Sequence, residues 1–260
     1  MSLTKKFQDL FSLRGQTVLI TGARRGLGSA IAHQCAEAGA HVVINDLDAD
    51  QAEAKARELR EAGYEASSAA FDVTDRQAVR QAVDRILAHC GAIDGVVSNA
   101  GNQNRKPYET YEEHEWRAIL DTHVGGAFNV TQAVMPSMVA RGRGRVVMVS
   151  STVASHTKGT LAPYASAKGA LSALTRELAQ EFGSRGINTN AVAPGYLKTE
   201  FTNAIVDDPD FTRWLSARVP LGRWGKPEDV APAVLFLLSD AGRFVNGHIL
   251  TIDGGLTAAL

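Results

Sequence analysis

Three side chains in the middle of the chain, Ser151, Tyr164 and Lys168, are of the types that together move a proton. Tyr164 and Lys168 are four apart near the start of a predicted helix, so they share one face about a turn apart. Ser151 stands thirteen residues before Tyr164, just after a predicted strand. A free phenol has a pKa of about 10 and is a poor base at neutral pH. An ammonium beside it stabilises the phenolate, by about one pKa unit for each ~1.4 kcal/mol. The pair then becomes a usable acid/base, and a serine hydroxyl holds a carbonyl or alcohol oxygen against it. The Tyr-x-x-x-Lys spacing is common by chance and carries weight only in company.

The company is a glycine-rich turn, Thr21-Gly22-Ala23-Arg24-Arg25-Gly26-Leu27-Gly28, which directly follows an apolar strand and runs into a helix. Glycines there let the backbone approach a pyrophosphate, and the helix start adds N–H groups and positive dipole. The spacing is G-x-x-x-G-x-G, not the strict G-x-G-x-x-G, because Ile31 stands where a third glycine would fall. Asp46 lies eighteen residues past Gly28, at the end of the second strand. An acid there accepts hydrogen bonds from the ribose hydroxyls of NAD and repels a 2′-phosphate. Arg24 and Arg25 pull the other way: either could reach an NADP phosphate, or simply be solvated. The expectation is NAD, with NADP as the alternative.

These groups need a scaffold, and the rest of the chain supplies one. Apolar, β-branched runs at 17–21, 41–45, 66–71, 95–98, 145–149, 188–192 and 249–252 alternate with helical patterns at 27–38, 49–62, 76–89, 113–140, 163–182 and 227–238. Strands that are apolar throughout are buried on both faces, as parallel strands covered by helices are. The predicted fold is therefore α/β: one doubly wound Rossmann domain over residues 1–260, its seven-stranded, mostly parallel sheet covered by helices on both sides. One stretch, 195–226, breaks the rhythm. Its Phe201, Ile205, Phe211, Trp214, Leu215 and Trp224 suggest a lid that packs on something.

Composition removes other classes. The 260 residues carry 27 basic and 28 acidic side chains, a net charge of −1, which does not suit a protein that neutralises nucleic-acid phosphates. Arg141, Arg143 and Arg145 alternate with glycines but fall in a helix-to-strand turn. Cys35 and Cys90 make neither a disulfide framework nor a Cys-x-x-Cys pair, and are expected to be buried small hydrophobes. None of the seven histidines stands in His-Glu-x-x-His or a similar ligand spacing, so no metal is expected, and His33, His41, His89 and His114 are expected at the surface. No uncharged run reaches the ~18 residues of a membrane span, and the opening MSLTKKFQDLFSLRGQ lacks a secretory apolar stretch. The expected setting is cytoplasmic.

Taken in order, TGARRGLG, then Ser98-Asn99-Ala100-Gly101, then Ser151, Tyr164 and Lys168, then Pro194-Gly195, the chain resembles the short-chain dehydrogenase/reductase family from about Leu13 to Gly255. The resemblance implies hydride transfer between nicotinamide C4 and a substrate carbon. It makes Tyr164 the acid/base, gives Lys168 the nicotinamide ribose as well as the phenol, and has Ser151 orient the substrate oxygen. It further implies that Asp72 and Val73 flank the adenine, that Asn99 lines the cofactor cleft with Ala100 and Gly101, and that Thr199 contacts the nicotinamide side or the phosphates. The family's last strand commonly pairs subunits about a two-fold axis, which implies a homotetramer.

His123 stands where the family usually has an asparagine in a water-linked proton relay. Either its imidazole substitutes in that relay or it only preserves local helix geometry; a catalytic role is the expectation. Within the family, the residues Leu10–Leu13, Ala193–Glu200, Trp214-Leu215, Arg223-Trp224-Gly225 and Phe244–His248 are most similar to the gluconate 5-dehydrogenase group. The stretch between Ser151 and Tyr164 and the loop after Gly101 match that group only in part, which leaves another polyol or sugar acid open, as well as a 3-oxoacyl thioester reductase. Gln103, Arg105, Lys106, His156, Lys158, Tyr196 and Lys198 around the expected mouth suit a small hydroxylated anion, where an acyl chain would want an apolar groove; the competing reading for the charges is ordinary solvation. A non-catalytic cofactor sensor and a sugar epimerase or dehydratase are the other classes, disfavoured by the intact Ser151, Tyr164 and Lys168 and by the spacing of the turn.

Overall fold

The computed structural model describes residues 8–157 and 159–259; the first seven residues, Lys158 and Leu260 lie outside them. Seven strands, β1 (Thr17–Ile20), β2 (His41–Ile44), β3 (Ala66–Ser68), β4 (Gly95–Ser98), β5 (Gly144–Val149), β6 (Ile187–Pro194) and β7 (Ile249–Ile252), form one sheet in the order β3-β2-β1-β4-β5-β6-β7. Every neighbouring pair is parallel. The sheet is therefore wholly parallel where a mostly parallel one was expected.

The helices are α1 (Gly26–Glu37), α2 (Ala49–Glu61), α3 (Arg76–Cys90), α4 (Glu113–Leu120), α5 (Gly126–Arg141), α6 (Ala162–Phe182), α7 (Asn203–Val206), α8 (Pro209–Arg218) and α9 (Pro227–Leu238). Short polar side chains start them: Asp48 Oδ1 accepts from Gln51 N at 3.1 Å for α2, and Asp75 Oδ1 from Gln77 N at 2.9 Å for α3. Alternate residues of each central strand enter opposite cores. Val18, Ile20, Val97 and Val147 meet α1 and α9 on one face, while Leu19, Val96, Val146 and Met148 meet α3, α5 and α6 on the other. That two-sided burial is why these strands are apolar throughout.

Strand order reverses between β1 and β4, so the loops at their carboxyl ends diverge and leave a crevice there. Three predicted elements differ from those observed. The single helix over 113–140 is two helices joined by a π turn, Asp121–Gly125. The strand over 66–71 stops at Ser68, because Asn45 Nδ2 takes the carbonyls of Ala69 and Phe71 at 3.0 and 3.1 Å. The segment 195–226 holds α7 and α8 where a loop was expected; Asp208 caps α8 through Asp210 N at 2.9 Å, and Pro209 takes its first turn. Tyr196, Phe211, Trp214 and Trp224 pack edge to face and tilted in this segment, with ring centroids 5.3–6.3 Å apart.

Candidate active site

The first-strand turn and the end of β4 are stitched together. Thr21 Oγ1 accepts from Asn99 N and Ala100 N, both at 3.0 Å, and Asn99 Nδ2 donates to the carbonyls of Thr21 and Gly22 at 2.9 Å. Gly28 is required by this stitch: a Cβ there would lie 2.4 Å from Gly22 O and 2.6 Å from Asn99 Nδ2. Gly26 (φ +56°) opens α1, and its N-cap, Arg25, gives that helix start no side-chain hydrogen bond. The helix start is thus a donor-rich, positively polarised cradle facing the crevice.

The crevice is a cavity of about 660 Å³. Of the residues expected to hold a dinucleotide, Gly22, Arg24, Arg25, Gly26, Leu27, Gly28, Asp46, Asp72, Val73, Asn99, Ala100, Gly101, Tyr164, Lys168, Pro194, Gly195 and Thr199 line it. Thr21 does not; it lies beneath, 1% exposed, holding Asn99 in place. Asp46 and Arg24 meet each other, with Arg24 Nε 3.4 Å from Asp46 Oδ1, while the same oxygen accepts from Leu47 N at 2.9 Å. Arg25 turns across the cavity to pair with Glu200. The glycine cradle and the uncapped helix as donors, with Asp46 as an acceptor, suit a dinucleotide.

At the other end, β5 delivers Ser151 and α6 delivers Tyr164 and Lys168. Ser151 stands close enough to the Tyr164 hydroxyl to favour its deprotonated form, while its Oγ accepts from Val153 N at 3.3 Å. Lys168 Nζ is buried, donates to Val149 O at 2.6 Å, and lies 5.3 Å from the centroid of the Tyr164 ring. The electrostatics differ from the sequence-based expectation. Burial pushes the Tyr164 phenol up to about 12, opposed by the nearby Ser151 hydroxyl and the Arg105 charge, and burial lowers Lys168 to about 7. In this protein matrix desolvation of each charged form dominates, so the resting phenol is protonated. Tyr164 is poised to give a proton.

The π turn puts His123 at the cavity wall, 2% exposed, edge-on to Tyr164 with ring centroids 5.3 Å apart. Its Nε2 faces both Asn102 O at 2.8 Å and Asn102 N at 3.3 Å; donation to the nearer carbonyl leaves Nδ1 as the acceptor. Nδ1 is buried with no hydrogen-bond partner in the protein. Burial first, and the charge of Lys168 second, lower its pKa to about 3, so the ring is neutral.

The residues expected on the substrate side separate. Gln103, Arg105, Tyr196 and Ser151 line the cavity. Gln103 Nε2 donates to Phe201 O at 2.5 Å and so ties the loop after β4 to the segment 195–226. His156 does not line the cavity: it is exposed just past the 3₁₀ turn Thr152–Ala154, its Nδ1 2.9 Å from Ser155 Oγ. Lys106 pairs with Glu115, and Lys198 opens onto a separate surface groove beside α9. The cavity wall also includes Val153, Leu161 and Asn102, which lie in stretches expected on the substrate side but were not singled out as site residues. The first two are ordinary apolar residues in a loop and carry no signal of their own.

Elsewhere, Cys35 is buried as expected, whereas Cys90 is only half-buried. His41 is half-buried too, with Nε2 2.8 Å from Ser67 Oγ, because β2 and β3 bring the two side by side. Arg141 pairs with Asp94 at 2.7 Å and Arg145 donates to Asn188 Oδ1 at 2.8 Å, so those arginines brace the sheet's amino end. No cluster of metal-ligating side chains occurs among the described residues, and none of their helices is long and apolar enough to cross a membrane.

Comparison with known proteins accords with this geometry. A family model described as Enoyl-(Acyl carrier protein) reductase, of the short-chain alcohol dehydrogenase type, matches residues 22–257. The chain is 41% identical over 252 residues to the 5-keto-D-gluconate 5-reductase of Escherichia coli K12, covering 97% of this chain and 99% of that one. It is 42% identical over 252 residues to the gluconate 5-dehydrogenase of Gluconobacter oxydans, covering 97% and 98%. Among solved structures, a gluconate 5-dehydrogenase from Burkholderia cenocepacia in complex with NADP and tartrate superimposes with a TM-score of 0.96 at 44% identity, over 98% of this chain and all of that one.

Proposed function

The chain belongs to the short-chain dehydrogenase/reductase family, and from that premise we propose that it interconverts the secondary alcohol and ketone of a small sugar acid, with gluconate and 5-ketogluconate as the substrate pair. The observation that carries this reading is Arg105. It lines the cavity close enough to Tyr164 and Tyr196 to bear on both phenols, yet it makes no hydrogen bond or ion pair among the described residues. A half-buried guanidinium with nothing to neutralise it suits a carboxylate that arrives with the substrate.

The chemistry supplied by a bound nicotinamide is hydride exchange with the carbon that bears oxygen. The chain's own residues do the rest. Ser151 and Tyr164 direct their hydroxyls at the substrate oxygen, and Tyr164 gives its proton as the ketone is reduced. Lys168, held by Val149 O, stabilises the phenolate that remains. His123 lies beside it as a neutral hydrogen-bond acceptor through Nδ1 and orients the solvent donor whose proton returns to Tyr164. NAD is the preferred cofactor, its ribose hydroxyls on Asp46, and Arg24 is the group that meets a 2′-phosphate when NADP binds instead. The segment 195–226 is the lid, with Phe201 6.1 Å from the Tyr164 ring.

The working form is a cytoplasmic homotetramer in which β7 edges pair; the edge position of β7 and the fully exposed Phe244 beside it support this, and the free cysteines suit a reducing compartment. Light scattering that finds only single chains at micromolar concentration would remove the tetramer. The activity is tested by a panel of sugar acids, neutral polyols and acetoacetyl thioesters with NAD(H) and NADP(H). Turnover of 5-ketogluconate above the neutral polyols is expected. Turnover confined to thioesters overturns the sugar-acid reading.

A further inference from the structure

Arg105 sits on the loop between β4 and α4, where a long cationic side chain has many ways to point. The residues on either side of it have almost none. Asn104 Nδ2 donates to Glu115 Oε1 at 2.7 Å, and Lys106 Nζ donates to Glu115 Oε2. The backbone is held at the same two positions: Tyr111 Oη donates to Asn104 O at 2.5 Å, and Lys106 N donates to Thr160 O at 3.1 Å. Glu115 in turn is fixed on the first turn of α4, where Oε2 also accepts from Glu112 N at 2.8 Å in a capping box. One carboxylate therefore grips both neighbours of an arginine that itself grips nothing. It also takes up the Lys106 charge, so that Arg105 is the cation left to face the cavity from this loop.

We propose that Glu115 is a positioning residue for substrate recognition: by clamping Asn104 and Lys106 to α4 it pre-sets Arg105 for the carboxylate of the substrate and removes the competing cation beside it. The inference rests on the sugar-acid reading. Its physical content is pre-organisation, since a loop ordered before binding need not be ordered by binding. Glu115 touches neither the reacting atoms nor the cofactor cradle, so its loss weakens recognition of the anion and leaves the chemistry.

The test is a double-mutant cycle on the holoenzyme with Glu115→Ala, Arg105→Met and the pair, read as KM and kcat for 5-ketogluconate and as inhibition by tartrate, a small dianion, against threitol, its neutral counterpart. For Glu115→Ala we expect KM and the tartrate inhibition constant to rise about tenfold, the cost of ~1.4 kcal/mol. The constant for threitol, the cofactor KM and kcat should stay within about twofold. Glu115→Gln keeps one acceptor oxygen, enough for Asn104 or for Glu112 but not both, loses the Lys106 ion pair, and should fall between; it also carries the test should the alanine variant fail to fold. Because both residues act through one contact, the pair should be no weaker than Arg105→Met alone. If Arg105→Met raises KM but neither Glu115 variant does, or if the effects add, the positioning role is overturned and the sugar-acid reading survives. If Arg105→Met leaves KM and tartrate inhibition unchanged, the carboxylate anchor falls, and this inference with it.

Discussion

Gly101 and His123 are a matched pair across the cavity floor: a Cβ at 101 would lie 2.2 Å from His123 Cε1 and 3.0 Å from both ring nitrogens. The glycine at the end of the β4 motif is therefore space for an imidazole, and the π turn at 121–125 is what delivers that imidazole to the space. Replacing Gly101 by alanine should push the ring off Asn102 O and away from Tyr164. Overpacking against the buried ring costs about 1–3 kcal/mol, so the melting temperature should drop and kcat should fall with it. A variant with wild-type kcat and melting temperature would show that the ring does not need this room.

His123→Ala should lower kcat markedly while cofactor affinity, set at the far end of the cavity, stays nearly unchanged. Steady-state kinetics with fluorescence titration of the reduced cofactor decides it. A kcat within about two-fold of wild type removes His123 from proton transfer.

The neutral His123 also has a stability consequence. Its pKa in the folded protein, about 3, lies below the unfolded value of 6.5, so between those limits the unfolded chain binds the extra proton. Stability from this group is then complete above pH 6.5 and is lost as pH falls towards 3, at up to about 1.4 kcal/mol per pH unit. His123→Asn, which cannot titrate, should flatten the loss of melting temperature between pH 6.5 and 4 relative to wild type. Parallel curves for the two proteins would contradict a neutral, desolvated ring.

Tyr164→Phe should cost about 10²–10⁴-fold in turnover, the usual worth of a positioned proton donor. With the phenol pushed up to about 12, ketone reduction should be nearly flat across neutral pH, because the donor stays protonated. Alcohol oxidation needs the deprotonated form and should rise with pH through the same range. An oxidation rate that falls from pH 7 to 9 would contradict Tyr164 as the acid/base.

Asp46 and Arg24 are in contact at 3.4 Å, and the proposed cofactor preference turns on this pair. Asp46→Asn should raise the KM for NAD about tenfold or more, the loss of a hydrogen bond to a charged acceptor, and shift preference towards NADP. Arg24→Ala should weaken NADP selectively. The ratio of kcat/KM for the two cofactors checks both changes.

The triad, the glycine turn, Asp46 and the alternation of strands and helices were all legible in the chain because each depends on local spacing. An i, i+4 pair shares a helix face wherever the helix goes, and a buried parallel strand must be apolar on both sides. The break in the predicted helix at 121–125 was not legible, since a π turn needs no special residue and is stabilised by what its extra residue packs against. Nor was the sign of the Tyr164 shift: spacing shows that an ammonium is near, but only the enclosing matrix decides whether attraction or desolvation prevails. Lys106, Lys198 and His156 looked alike as mouth charges, and the fold sent each elsewhere while leaving Arg105 at the wall. By itself the sequence determined which chemistry the chain carries and on which elements; the tertiary structure decided which charges remain unpaired and which groups lose their water, because pairing and desolvation are set by neighbours distant along the chain.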